Sequence, residues 1–167
     1  MSELQDKKIG QIVIVVNDIE KTAQSYCRVF DLEAPRIEQI PLCDTLPVYY
    51  KGELTDCDAK ICTFDFNGVI FELMQPGKER SVWRDYLDKY GEGVFDIGFW
   101  VDDRMASLKR LSAVGAEPVH VGFFNDGTYS LVDAKEALGV LVNLHCHSED
   151  FTEEVRNAPR KLSETNY

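Results

Sequence analysis

The chain contains no apolar run approaching the roughly 20 residues a membrane-spanning helix needs. Its opening, MSELQDKK, lacks the apolar stretch of a secretory signal. Both absences make the cytoplasm the expected location, with no membrane partner. Positive charge is scarce as well. The 18 Lys and Arg stand against 29 Asp and Glu, a net charge of -11, and no basic strip interleaved with aromatics occurs. Such a field repels polyanions, so nucleic acid is not an expected partner. Cysteine occurs five times, at 27, 43, 57, 62 and 146, an odd count without a CxxC pair. That pattern argues against a disulfide framework and for a reducing compartment. Cys146 lies between His145 and His147, but on a strand it points away from both, which leaves it a small buried apolar residue.

What is present suffices for one packed core: 167 residues, of which 44% are hydrophobic. An internal repeat organises them. QIVIVVND (11–18) aligns without gaps on DIGFWVDD (96–103), each an apolar strand ending in an Asp placed to cap a helix. After Asp18, Ile19, Ala23, Tyr26, Cys27 and Phe30 recur at helical spacing. After Asp103, Met105, Leu108, Leu111 and Val114 do the same until Gly115. GVIFELMQ (68–75) then aligns on GVLVNLHC (139–146), with room before each for further strands: AKICTFDF (59–66), PVHVGFF (118–124) and TYSLVDA (128–134). FNG at 66–68 reads as a hairpin turn. The expectation is an α+β domain over 8–147, two paired βαβββ modules (8–76 and 93–147) forming a cupped mixed sheet around a central cavity. A linking helix at 79–91, capped by Ser81 and stopped by Gly91, joins them. A polar tail, 148–167, comes last, with a short helix over 151–157.

The repeat selects four polar residues. Gln11 corresponds to Asp96, and Glu72 to Asn143, each the lone polar interruption on an apolar strand. In a pseudo-twofold pair, equivalent positions face a shared surface. Side-chain alternation adds Met74 to the face of Glu72, Trp100 to that of Asp96, and His145 and His147 to that of Asn143. Tyr129 is a further candidate for the cavity wall, whereas His120 reads as structural. The segment 31–59, rich in Pro and carrying Tyr49 and Tyr50, is expected to hold the second strand of the first half and a loop over the cavity mouth.

Through GQIVIVVNDIEKTAQSYCRVFDL, FELMQP, YGEGVFDIGFWVDD and DAKEALGVLVNL, residues 8 to 147 resemble the vicinal oxygen chelate superfamily, and within it the methylmalonyl-CoA epimerase and glyoxalase-like branch. The resemblance implies a cupped sheet that holds a divalent metal on two His and two Glu or Gln positions, and a homodimer. Carried across, those metal positions are Gln11, Glu72, Asp96 and Asn143, so both histidines and one carboxylate are replaced. A metal-free site is therefore the expected state, with Mg²⁺, Mn²⁺ or Ca²⁺ on those four residues as the alternative.

Family chemistry removes a proton next to a carbonyl and returns it through an enolate. The resemblance thus implies an epimerase or racemase with Glu72, Asp96 and His145 as proton-transfer candidates, and with Gln11, Asn143, Trp100, Tyr129 and Met74 contacting substrate. Arg36, Lys51, Lys78 and Arg80 are too scattered to form a cationic cluster for coenzyme A, which points to an uncharged or aromatic carbonyl compound. Racemisation of an isoflavanone such as dihydrodaidzein is one activity of the wider group that matches. A metal-dependent glyoxalase-like lyase and a non-catalytic small-molecule binding protein are the two rival expectations.

Overall fold

Three side chains decide where the main helices begin. Asp18, Ser81 and Asp103 each accept a hydrogen bond from the backbone N–H three residues on, a cap contributing about 1 kcal/mol. The computed structural model describes residues 8–40, 48–55, 58–124 and 127–147. The helix expected over 151–157 lies outside the described residues. Along the chain come β1 (Ile9–Val15), α1 (Ile19–Phe30), β2 (Glu38–Gln39), β3 (Val48–Tyr50), β4 (Glu53–Leu54), β5 (Ala59–Phe66) and β6 (Val69–Pro76). Next are α2 (Val82–Tyr90), β7 (Gly93–Trp100), α3 (Arg104–Ser112), β8 (Glu117–Phe124), β9 (Gly127–Asp133), α4 (Lys135–Leu138) and β10 (Leu141–His147). Among the described residues, no helix is long and apolar enough to cross a membrane.

The strands form one mixed sheet in the order β2-β5-β6-β1-β7-β10-β9-β8-β3-β4, curled into a half-barrel. Its centre is the antiparallel seam between β1 and β7. Each seam strand has a parallel neighbour on its other side, β6 beside β1 and β10 beside β7. The seam pairs Gln11 with Gly98, Ile12 with Ile97 and Val13 with Asp96. Because 11 aligns with 96 and 13 with 98, this ladder maps onto itself when the halves are exchanged. The α+β fold of paired modules is thus present, and the internal repeat is its symmetry.

Helices α1 and α3 cover the convex face. α1 packs Ile19 and Ala23, with Val16 just ahead of the helix, against Cys62, Phe64 and Leu73. α3 lies on Val101, Ala116, Val132, Val142, Leu144 and Cys146. α2 instead enters the concave face, where Val82, Trp83 and Leu87 join Val13, Val15, Met74, Phe95, Leu131 and Leu141. A bulge in the seam, with Val13 opposite Asp96 but Ile14 opposite Val94, makes Phe95 the extra residue. Fully buried, it meets the Tyr86 ring edge-on at 5.1 Å.

Three local expectations are amended. The α3 stripe was expected to include Met105 and Val114, yet both are mostly exposed, and the buried side carries Ser107 with Leu108 and Leu111 partly covered. The 31–59 segment does supply a second strand to the first half, but β2 is only two residues long. β3 crosses to the other half and pairs with β8, adding β4 beyond it. Finally, α4 is a single turn that periodicity did not indicate.

Candidate active site

The floor of the cup is set by strand register. Val13 is flanked by Glu72 on β6 and by Asp96 on β7, and one row along, Gly98 is flanked by Gln11 on β1 and Asn143 on β10. Within each half the polar residues are diagonal neighbours on parallel strands. Gln11 Nε2 donates to Glu72 Oε2 at 3.0 Å. Asn143 hydrogen-bonds Asp96 in the other half. Each buried carboxyl therefore has an amide of its own, but carboxyl and amide have exchanged strands between the halves.

Burial dominates the electrostatics. It drives the Glu72 carboxyl up to about 7, against the opposing pull of the Gln11 hydrogen bond. Asp96, 1% exposed, is raised well above the usual carboxylate range by burial and then by the nearby Glu72 charge, with Asn143 pulling the other way. His145 is brought down to about 4, by burial first and His147 second, and so is a neutral imidazole. Gln11 Oε1, Asp96 Oδ1, Asn143 Oδ1 and His145 Nε2 are buried without a protein partner. Both amides, Gln11 and Asn143, were expected to contact substrate. Gln11 directs its Nε2 to Glu72 and leaves its oxygen unpaired.

Above this floor lies a cavity of about 340 Å³. All eight residues singled out from sequence, Gln11, Glu72, Met74, Asp96, Trp100, Tyr129, Asn143 and His145, line it. Two glycines make the shape. A Cβ at Gly98 would lie 2.9 Å from His145 Nε2 and 3.0 Å from Gln11 Cβ, so its absence lets these side chains meet over the seam. A Cβ at Gly10 would lie 2.7 Å from the Trp100 ring, which rests on that bare backbone. Trp100, 44% exposed, stands at the mouth, stacked on His147 at 4.3 Å with Phe124 edge-on to both. Cys146 faces the other way, into the convex core.

Sequence reasoning did not name Trp83, Ile40, Val48, Ile61, Phe123 or Phe124 as cavity residues. Trp83 was legible only as part of a helical stripe, and nothing in periodicity says that the linking helix enters the cup. Phe123 and Phe124 are adjacent on β8, so alternation alone would place one of them on the far face.

A divalent metal would have to be held by this floor. Among the described residues, no three His, Cys, Asp or Glu side chains converge as a metal-binding group. The Gln11 amide spends its N–H on Glu72, and two of the four floor residues, Gln11 and Asn143, are neutral amides, with no imidazole among the four. This donor set does not fit a divalent ion.

Comparison with known proteins agrees with this architecture. Residues 10–130 match the model of the glyoxalase/bleomycin resistance protein/dioxygenase superfamily. No curated protein sequence matches significantly. Among solved structures, methylmalonyl-CoA epimerase from Mycobacterium tuberculosis is 19% identical, with a TM-score of 0.58 over 92% of this chain and 96% of its own. A methylmalonyl-CoA epimerase in complex with methylmalonyl-CoA and NH4+ is 19% identical, with a TM-score of 0.57 over 85% and 95%. A Streptomyces coelicolor methylmalonyl-CoA epimerase variant in complex with 2-nitronate-propionyl-CoA is 20% identical, with a TM-score of 0.57 over 84% and 97%. At such identities the likeness is one of fold.

Proposed function

Because the chain belongs to the glyoxalase/bleomycin resistance protein/dioxygenase superfamily, we propose that its cavity is the site of an epimerase-like isomerase. The reaction is proton exchange at a carbon next to a carbonyl. The observation that carries this reading is the pair of buried carboxyls on either side of Val13, both raised by burial. Glu72, titrating near 7, is ionised often enough to take a proton from carbon. Asp96, whose carboxyl is raised by burial and by the Glu72 charge, is equipped to give one back. In the forward step the C–H bond breaks toward Glu72 and its electron pair becomes the enolate. In the return step the Asp96 proton bonds to the same carbon. With the two strands separated by β1, their backbones stand on the order of 10 Å apart, room for one planar carbon centre between the carboxyls. His145, neutral, can donate a ring N–H to developing negative charge without adding a counter-charge of its own.

Supporting an uncharged, aromatic substrate is the lining. Trp83, Trp100, Phe123, Phe124 and Tyr129 wall the cavity, and no Lys or Arg is among its described lining residues. A polyanionic thioester would meet no counter-charge there and an overall charge of -11 outside.

The test is deuterium uptake from D₂O into enantiopure α-aryl ketones, tracked together with loss of optical activity. The wild-type protein should show both, and Glu72→Gln and Asp96→Asn should each abolish racemisation. Undiminished exchange in both variants defeats the assignment of roles. Tight binding by the wild type without any exchange would instead make the protein a small-molecule binding protein.

A further inference from the structure

The seam carries a second bulge, and the residues at the two bulges differ in size. Ile9 stands opposite Phe99 but Gln11 opposite Gly98, so Gly10 is the extra residue on β1 as Phe95 is on β7. Because Gln11 aligns with Asp96 in the repeat, Gly10 aligns with Phe95 and Val15 with Trp100. The halves have exchanged large for small. At one end of the seam the bulged Phe95 shares the concave core with Val15, and at the other the bare backbone of Gly10 lies beneath the Trp100 ring.

The two large rings are held differently. Phe95 is fully buried against Tyr86, whose hydroxyl donates to Val94 O at 2.8 Å, so that end of the cup is shut. Trp100 is the last residue of β7 and, among the described residues that line the cavity, the only exposed one. A ring that lines a cavity on one side and meets solvent on the other is the partition between them. It rests on Gly10, on His147, on His145 at 5.2 Å and on the edge of Phe124. Among the described residues, no hydrogen-bond acceptor meets its indole N–H. Turning the ring aside about its side-chain bonds therefore breaks ring contacts alone, and exposed side chains change rotamer rapidly.

We infer that Trp100 controls entry to the cavity. A flat aromatic ligand passes while the indole is off Gly10 and is enclosed when the indole lies back, so this residue sets how fast ligands enter and leave. The inference rests on the cavity taking an aromatic carbonyl compound and requires no turnover.

Entry and exit are read by stopped-flow tryptophan fluorescence with 2-acetylnaphthalene and its oxygen-free counterpart 2-ethylnaphthalene. Both tryptophans of the chain line the cavity, so Trp83 remains as the reporter when Trp100 is replaced. Trp100→Ala should raise the association rate of both probes about tenfold, and Trp100→Phe, a shorter partition, by less. A residue that only walls the cavity would speed release and leave association unchanged. The φ of Gly10 is not in the left-handed region, so Gly10→Ala should leave the strand in place and lift the ring, raising association with Trp100 still present. In the Trp100→Ala background the same substitution should add nothing. Unchanged association in Trp100→Ala, a Gly10→Ala effect that persists without the indole, or a wild type that binds neither probe overturns the proposal. Deuterium exchange with unchanged association in Trp100→Ala would sink this inference and leave the isomerase reading standing, whereas the expected rates without any exchange would do the reverse.

Discussion

Folding moves the Glu72 carboxyl from 4.5 up to about 7. The folded pKa lies above the unfolded one, so the associated stability is fully present below pH 4.5 and is lost as pH rises through 7. A shift of that size costs up to ~3 kcal/mol above neutrality. Glu72→Gln should therefore raise the unfolding free energy at pH 8 by about 1–3 kcal/mol, leave it little changed at about pH 4, and remove exchange. Urea titration at the two pH values checks this, and an equal effect at both would place the carboxyl outside the cavity. Catalytic rate in the wild type should climb between about pH 6 and 8 as the base form is populated. That Glu72 and Asp96 share one floor was legible from the aligned repeats. Their pairing with amides was not, because Gln11 meets Glu72 only through the register of β1 on β6, set by chain 61 residues away.

At the scale of elements, the seam strands and capped helices were readable, since β1, β7, β6 and β10 are long apolar runs and Asp18, Ser81 and Asp103 each stand at the head of a helix as its cap. The short strands were not. β2, β3 and β4 have two or three residues each, too few to show a period, and where β3 goes depends on the edge that β8 offers. The stripe of α3 was misjudged for a related reason. Apolar spacing pointed to Met105 and Val114, whereas small Ser107 occupies the contact and lets the helix sit close. Gly98 is the point where the seam depends on a missing side chain. Gly98→Ala should crowd His145 and Gln11, cost about 1–2 kcal/mol, and weaken 2-acetylnaphthalene and 2-ethylnaphthalene alike. Thermal unfolding with fluorescence titration measures both effects, and unaltered binding of the two probes would show that the floor yields.

For the whole molecule, four buried groups oppose one another in acid. His120 and His145 have folded pKa values of about 3 and 4, below the unfolded 6.5, so their stability is present above pH 6.5 and is lost as pH falls. Glu72 and Asp96 act in the opposite sense. Between roughly pH 4.5 and 6.5 the protons gained by the unfolded histidines are offset by those the folded carboxyls hold, and stability should vary little. Below that window the unfolded carboxyls take up their own protons and cease to oppose the histidines, so stability should fall. Above it the carboxyls act unopposed. Melting temperatures across about pH 3.5 to 8.5 should trace this plateau with a fall on each side, and a steady rise toward about pH 8 would contradict it. The exchange of amide and carboxyl between the halves also sets an order on substitution. Gln11→Glu alone would place two buried carboxyls side by side, where they repel, so it should be tolerated only where Glu72→Gln has come first.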